Sequence, residues 1–382
     1  MTWNRITGQN RVKNHLQKAI IENRIPHAYC FWGQEGIGKD ALAIEFARTL
    51  NCSSPIVKGD SIEPCENCPN CKMSKTLQHP NIRIVFSLPA GKSGDTKKDA
   101  TLEKLTDEQL ELYYEQIRLK SENLYHKLTL PNANQIRIAA IREIKKNLAL
   151  SPPAEGRRCI IISRAEDMTT EAENAFLKTL EEPHENVTII ITTSRPEIII
   201  PTILSRCQQV RCEPLSDIDI VNALHEKNGI ASEEASLISA FAQGSYTTAV
   251  EFLGTDLQEI REKSINLLRT IFKKKTYRNE TASYIEGIIK KHDRRETEIL
   301  LNLLILWMRD ASNYKKINDE NNIINKDKIE ILKKFATGFP HADYDKSISE
   351  IENAIILIRK NVAPQLILLN LIIVLRKVFL FG

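Results

Sequence analysis

The chain has 382 residues, 42% of them hydrophobic and 27% charged, with a formal net charge of +4. That is an ordinary globular composition with room for two or three domains. Basic and acidic residues nearly balance and aromatics make up 6%, so nothing in the composition argues for nucleic-acid affinity or base stacking. No apolar leader follows Met1, and the longest uncharged apolar run, Leu366 to Leu375, is far short of the roughly 20 residues a spanning helix needs. The expectation is a cytoplasmic protein with no membrane contact, whose eight cysteines stay reduced.

The first 210 or so residues alternate short β-rich runs with helical stretches. Strands are predicted at Ala28–Trp32, Ile82–Phe86, Cys159–Ser163, Val187–Thr193 and Gln209–Cys212. Most are continuous apolar runs, as in a parallel sheet covered on both faces. Helices are predicted between them at Arg11–Asn23, Lys39–Leu50, Ile138–Leu148 and Thr170–Leu180. The fold class is α/β, a doubly wound sheet. From about Lys92 to Asn132 the alternation stops. Leu110, Tyr113, Ile117, Leu124 and Leu128 fall at helical spacing there, and the expectation is an inserted helical arm on the surface. After Pro214 strand signals vanish. Three short helices are predicted over Ser216–Asn228, Ser232–Ala242 and Tyr246–Leu253, and from about Leu257 the chain reads as all helix. The predicted division is 1–213, 214–256 and 257–382.

Gly33-Gln34-Glu35-Gly36-Ile37-Gly38-Lys39-Asp40, between a strand and a helix, reads as a P-loop. Its glycines, Gly33, Gly36 and Gly38, let backbone N–H groups turn toward phosphate, and Lys39 would reach the β and γ phosphates. The bland alternative is a Gly-rich turn with no ligand. Asp40 is anomalous, because a hydroxyl residue belongs there to hold Mg²⁺ beside a triphosphate. A carboxylate meets repulsion from the phosphates; alternatively it pairs with Lys39 and fills the pocket. Hydrolysis also needs one acid for the metal and one for the attacking water. The positions after the apolar run are Ser163 and Arg164, which supply neither. Glu166 and Asp167 lie about 10 Å further along an extended strand and read as a surface turn or helix cap. Whether the loop takes ATP or ADP stays open, and no hydrolysis is expected.

Cys52, Cys65, Cys68 and Cys71 form C-x12-C-x2-C-x2-C. Four thiolates at such spacing complete a closed tetrahedral Zn²⁺ shell with no open position for chemistry. An iron–sulfur cluster or unrelated thiols are the alternatives. Cys30, Cys159, Cys207 and Cys212 sit in or beside strands and read as small buried hydrophobes.

Several stretches together resemble one family. His27-Ala28-Tyr29-Cys30-Phe31-Trp32-Gly33 is similar to the approach to the P-loop in bacterial clamp-loader subunits of the DNA polymerase III holoenzyme, an AAA+ family. Asn174-Ala175-Phe176-Leu177-Lys178-Thr179-Leu180-Glu181-Glu182-Pro183 is very close to that family's signature after the third strand. Thr192-Thr193 matches its sensor-1 position, Ile203-Leu204-Ser205-Arg206-Cys207 its arginine-finger motif, and Asn361-Val362-Ala363-Pro364-Gln365-Leu366 its collar motif. The cysteine spacing matches its zinc module. The resemblance covers nearly the whole chain apart from the arm. It implies an AAA+-like domain with a zinc module over 52–71, then a helical lid and a C-terminal helical collar.

The resemblance also implies a mechanism. The hydrolysing gamma/tau members carry a complete P-loop, an Asp-Glu pair and a sensor-2 arginine, where this chain has Asp40, Ser163-Arg164 and Thr247. What remains is Arg206, which in such a subunit meets the γ-phosphate held by a neighbour, with Ser205 and Cys207 holding the turn. The bland reading of Arg206 is a surface arginine paired with an acid. The implied partners are gamma/tau and delta subunits in a ring, and through the complex the sliding clamp and primer–template DNA. A self-sufficient gamma-type ATPase is disfavoured by the missing acids. A DNA-binding zinc module is disfavoured by Asp60, Glu63 and Glu66 set against Lys58.

Overall fold

Runs of β-branched residues with no polar face build the centre of the molecule. In the computed structural model, which describes residues 3–89, 102–254, 256–273, 277–291, 294–317, 323–325, 328–360 and 362–380, five strands, two of them such runs, pair as one parallel sheet. They are β1 (Ala28–Trp32), β4 (Ile82–Val85), β5 (Arg158–Ile162), β6 (Val187–Thr193) and β7 (Gln208–Arg211), in spatial order β4-β5-β6-β1-β7. Ile160, Ile161 and Ile162 of β5 and Ile189, Ile190 and Ile191 of β6 are all at most 5% exposed. Burial on both faces is what a parallel sheet covered by crossover helices requires. The covering helices are α1 (Asn10–Ile21), α2 (Lys39–Leu50), α5 (Ile138–Leu148) and α6 (Thr170–Glu181). Phe176 of α6 and Ile141 and Ile144 of α5 pack on Ile160, Ile162 and Ile189 in one cluster.

The strands and helices expected from sequence are all present, displaced by a residue or two at their ends. A hairpin of β2 (Ile56–Lys58) and β3 (Ser61–Glu63), followed by α3 (Pro69–Lys75), was not foreseen. Three helices follow the sheet: α8 (Asp217–Asn228), α9 (Ser232–Ala242) and α10 (Tyr246–Glu251), after the single turn α7 (Pro201–Leu204).

The arm differs from its expectation. Residues 90–101 lie outside the described residues. Thr106 caps α4 (Asp107–Glu122) in a reciprocal capping box with Gln109. The helix stops at Glu122, so Leu124 and Leu128 are not on it. Leu124, Tyr125, Leu128 and Leu130 are 5–7% exposed. The surface arm is therefore corrected for its second half: the chain leaves the helix and packs back on the domain, because its apolar side chains find a face to cover.

The chain divides into compact units at 1–251 and 252–382. The second unit is helical: α11 (Leu257–Ile271), α12 (Tyr277–Lys291), α13 (Arg294–Ile317), α14 (Ile329–Gly338), α15 (Tyr344–Arg359) and α16 (Pro364–Leu380). Phe272, Phe335, Phe339 and Phe379 form an aromatic cluster within it. Asn361 of the collar motif lies outside the described residues. Among the described residues no helix is long and apolar enough to cross a membrane.

Phe176 is fully buried between α6 and the sheet. Phe176→Ala is expected to cost about 3–5 kcal/mol, read as a lowered denaturant midpoint in chemical unfolding.

Candidate functional site

Parallel strands present their carboxyl ends as a ligand-binding edge. Here Trp32 of β1 lies beside Thr193 of β6, and Ile162 of β5 beside Ile191. The loop 33–38 leaves this edge and enters α2. Gly38 has φ +97, and a side chain there would press on the Tyr125 ring. Gly36 has φ +80, and an added Cβ would collide with Ser245 Oγ. Both glycines are thus fixed by backbone conformation and by what lies over them.

Every charged group of the loop is engaged with the protein itself. Lys39 Nζ donates to the carbonyls of Gly33 (2.8 Å) and Gln34 (2.6 Å). Burial pushes the Lys39 ammonium down, against the opposing pull of Asp40 and Glu166. Asp40 does not take Lys39 as its hydrogen-bonding partner, as one sequence alternative had it. Its Oδ1 accepts from Thr192 Oγ1 (2.6 Å), and its Oδ2 from Ser163 Oγ (2.7 Å) and Lys120 Nζ (3.4 Å). Burial works to raise the Asp40 pKa. The Lys120 ammonium and the two hydroxyls outweigh it and hold the carboxyl below its ordinary value.

Lys120 was not singled out from sequence. Its side chain is 3% exposed, and Nζ also donates to the His126 carbonyl at 2.8 Å. A signal existed: Lys120 falls with Tyr113, Ile117 and Leu124 in one helical stripe, and a cation in an apolar stripe needs a buried anion. The chain beyond it covers the loop. Lys127 pairs with Glu35 at 2.5 Å, and Arg164 approaches the same carboxylate at 3.7 Å. Tyr125 OH accepts from the Thr7 amide (2.8 Å), and its ring meets that of Tyr246 at 4.6 Å. Thr247, at the expected sensor-2 position, gives its amide to the Gly36 carbonyl at 3.2 Å. The remaining cavity is about 70 Å³, lined by Gly36, Lys39, Lys127 and Arg164 among others. Small-molecule pockets begin at roughly 300 Å³.

The segment after β5 also departs from its reading. The strand ends at Ile162, Arg164 takes φ +56, and Ala165–Asp167 form a single 3-10 turn. Glu166 and Asp167 therefore stand in a turn, as one alternative had it, and are not displaced along an extended strand. Glu166 Oε1 accepts from the Ser194 amide (3.2 Å), and Asp167 Oδ2 accepts from Arg164 Nε (3.0 Å) and Ser87 Oγ (3.2 Å). Of the sensor-1 pair, Thr192 is the one that reaches Asp40. Thr193 Oγ1 instead accepts from the Arg195 amide at 3.0 Å, while its side of the strand still borders the cavity.

Cys52, Cys65, Cys68 and Cys71 come together as the spacing implied. Their sulfurs all lie within 4.8 Å of one another, and Cys65 and Cys71 are 4.0 Å apart. Tetrahedral Zn–S bonds of about 2.3 Å put sulfurs about 3.8 Å apart, so the cluster can hold a metal ion. The amides of Cys65, Cys68 and Cys71 donate to the preceding sulfurs at 3.2–3.4 Å, which favours thiolates. The hairpin between the cysteines accepts Trp3 Nε1 on the Ile62 carbonyl at 3.0 Å. The other four cysteines are buried, and burial pushes the Cys30, Cys159, Cys207 and Cys212 thiols up to about 12.

Ser205 and Arg206 stand apart from the cavity lining. Ser205 Oγ donates to the Thr202 carbonyl at 3.1 Å, closing the turn after α7. Arg206 Nη1 donates to the same carbonyl at 3.0 Å, and Nη2 pairs with Glu181 at 2.8 Å. The Arg206 side chain is 36% exposed. The pairing with an acid is as the bland reading had it, and the exposure leaves the group reachable.

The chain is similar to known proteins. The family model described as DNA polymerase III, delta subunit, matches residues 8–216, and the model for the C-terminal part of that same family matches 258–377. The delta-prime subunit of DNA polymerase III from Bacillus subtilis is 25% identical over 97% of this chain and 96% of its own length. The tau subunit from the same organism is 28% identical over 65% of this chain, which spans 36% of that longer protein. A solved gamma-subunit-related protein from Thermotoga maritima has a TM-score of 0.47 at 17% identity, over 96% of this chain and 99% of that one.

Asp40→Asn removes the anion facing Lys120. Because Asp40 is 22% exposed, the expected loss is about 1–3 kcal/mol rather than a full buried-pair value. The folded pKa is lowered, so the carboxylate's contribution is complete above about pH 4 and fades as pH falls through the folded value. Thermal melts of the two proteins should differ at neutral pH and converge in acid.

Proposed function

We infer the function from one premise: the chain belongs to the DNA polymerase III delta-subunit family, with its full-length likeness to delta-prime. It is a clamp-loader subunit. The reading proposed here is that it does not hydrolyse ATP and instead lends Arg206 to a nucleotide held by a neighbouring subunit. The observation that carries this reading is the filled P-loop. Lys39 is held by two carbonyls, Asp40 by two hydroxyls and Lys120, and positions 163 and 164 carry no acid. A site so occupied offers neither a metal ligand nor a base for water.

Partners follow from the same reading. Gamma/tau and delta subunits complete the ring, the C-terminal helices join it, and the assembly places the sliding clamp on primer–template DNA. In support, α16 leaves Leu366 65% and Ile373 67% exposed, an apolar surface that suits burial against other subunits. The proposed domains are 1–213, 214–256 and 257–382. Cys52, Cys65, Cys68 and Cys71 hold one structural zinc, which ties the β2–β3 hairpin and, through Ile62 and Trp3, the N-terminal segment.

The purified chain is expected to show no steady ATP turnover above background, and Lys39→Ala should leave that unchanged. Turnover abolished by Lys39→Ala would refute the reading. An arginine finger contributes about 10³–10⁵ in rate to the site it serves. Arg206→Ala should thus slow ATPase of the assembled complex while the subunit still folds and assembles. Metal analysis should find one equivalent of zinc, and a strong chelator should lower the melting temperature of wild type but not of a Cys68→Ser/Cys71→Ser variant.

A further inference from the structure

The run Leu180-Glu181-Glu182-Pro183 ends α6, and the function above gives it no task. Its two acids stand at a helix C-terminus, where the peptide dipoles disfavour anions and favour cations. Local helix energetics therefore supply no reason for Glu181. The reason lies across the chain. Glu181 Oε1 receives Arg206 Nη2 at 2.8 Å, while Arg206 Nη1 is fixed by the Thr202 carbonyl at 3.0 Å. That carbonyl belongs to α7, and it also receives Ser205 Oγ. One end of the guanidinium is thus held from two separate elements. A guanidinium has five N–H donors in a rigid fork, so fixing one edge leaves others to meet a second anion.

We propose that Glu181 is the positioning residue of the arginine finger: with the Thr202 carbonyl it holds one edge of the Arg206 guanidinium so that the remaining N–H groups face the phosphate of the adjacent subunit. This rests on the reading of Arg206 given above. Glu181 touches no phosphate. It acts through Arg206 alone, by sparing the long side chain a search among rotamers when the neighbour docks.

The test uses the assembled clamp loader carrying Glu181→Ala, Glu181→Gln, Arg206→Ala or the double alanine variant, with Glu182→Ala as a control for charge at the same helix end. Rates are taken per assembled complex, and Glu181→Ser replaces Glu181→Ala if the latter fails to assemble. Glu181→Ala should lower kcat about two- to fivefold, as loss of one exposed charged pair gives, with KM for ATP unchanged. Glu181→Gln, which keeps an acceptor oxygen, should recover most of the loss, and Glu182→Ala should behave as wild type. In the Arg206→Ala background Glu181→Ala should add nothing. If Arg206→Ala slows turnover and Glu181→Ala does not, the positioning role is wrong and the finger stands. An additive double variant places Glu181's action elsewhere and overturns the proposal. If Arg206→Ala has no effect, both readings fall.

Discussion

Asp40 stands in the first turn of α2, where the helix dipole and unpaired N–H groups attract negative charge. In a working P-loop that charge arrives with a phosphate. Here the chain carries its own anion, and the neighbouring residues are those an internal carboxylate needs. Ser163 and Thr192 donate hydroxyls to it at 2.7 and 2.6 Å. An aspartate in place of Ser163 would set two carboxylates within hydrogen-bonding distance, which cannot both stay ionised without a metal between them. The departures at 40 and 163 are therefore coupled: once the carboxylate sits at the head of α2, a donor at the end of β5 is the compatible choice.

The same carboxylate explains the arm. A buried ammonium is costly unless paired, and Lys120 can lie 3% exposed because Asp40 faces it. Placing Lys120 there brings the chain end of α4 over the loop. Tyr125 follows onto Gly38, Thr7 and Tyr246, and Lys127 onto Glu35. The three short helices after the sheet then rest on the loop through Thr247 and Ser245. Protein side chains thus bridge the loop and these helices, at the expense of the cavity.

Much of the fold was legible because it rests on local pattern. The isoleucine runs of β5 and β6 could only be covered strands, and four cysteines at such spacing converge as expected. What escaped depends on where the chain turns. The reading of Glu166 and Asp167 assumed an extended strand past Ile162. Arg164 adopts a left-handed conformation instead, which an arginine's local propensity does not announce, and pairs there with Asp167 and Glu35. The arm was misjudged for a related reason. Leu124 and Leu128 continue a helical spacing beyond Glu122, yet the helix ends and those residues are buried by tertiary packing that periodicity does not encode. Within that stripe Lys120 was the discordant residue, and discordance in a periodic pattern is where function tends to be written.

The two charged pairs of the domain differ in a way that assigns them different tasks. Lys120 and Asp40 meet in a nearly closed setting, with hydroxyls completing the carboxylate's shell. Removing the carboxylate from such a pair leaves the Lys120 ammonium buried at about 1–3 kcal/mol, discounted for the partial exposure of Asp40. Arg206 and Glu181 meet at the surface, 36% and 47% exposed. A pair of that kind contributes about 0–1 kcal/mol, little enough that a multiply charged phosphate easily draws the remaining guanidinium donors to itself. The domain thus combines a P-loop engaged by its own side chains with an arginine held only weakly at the surface, the arrangement that the proposed role of Arg206 requires.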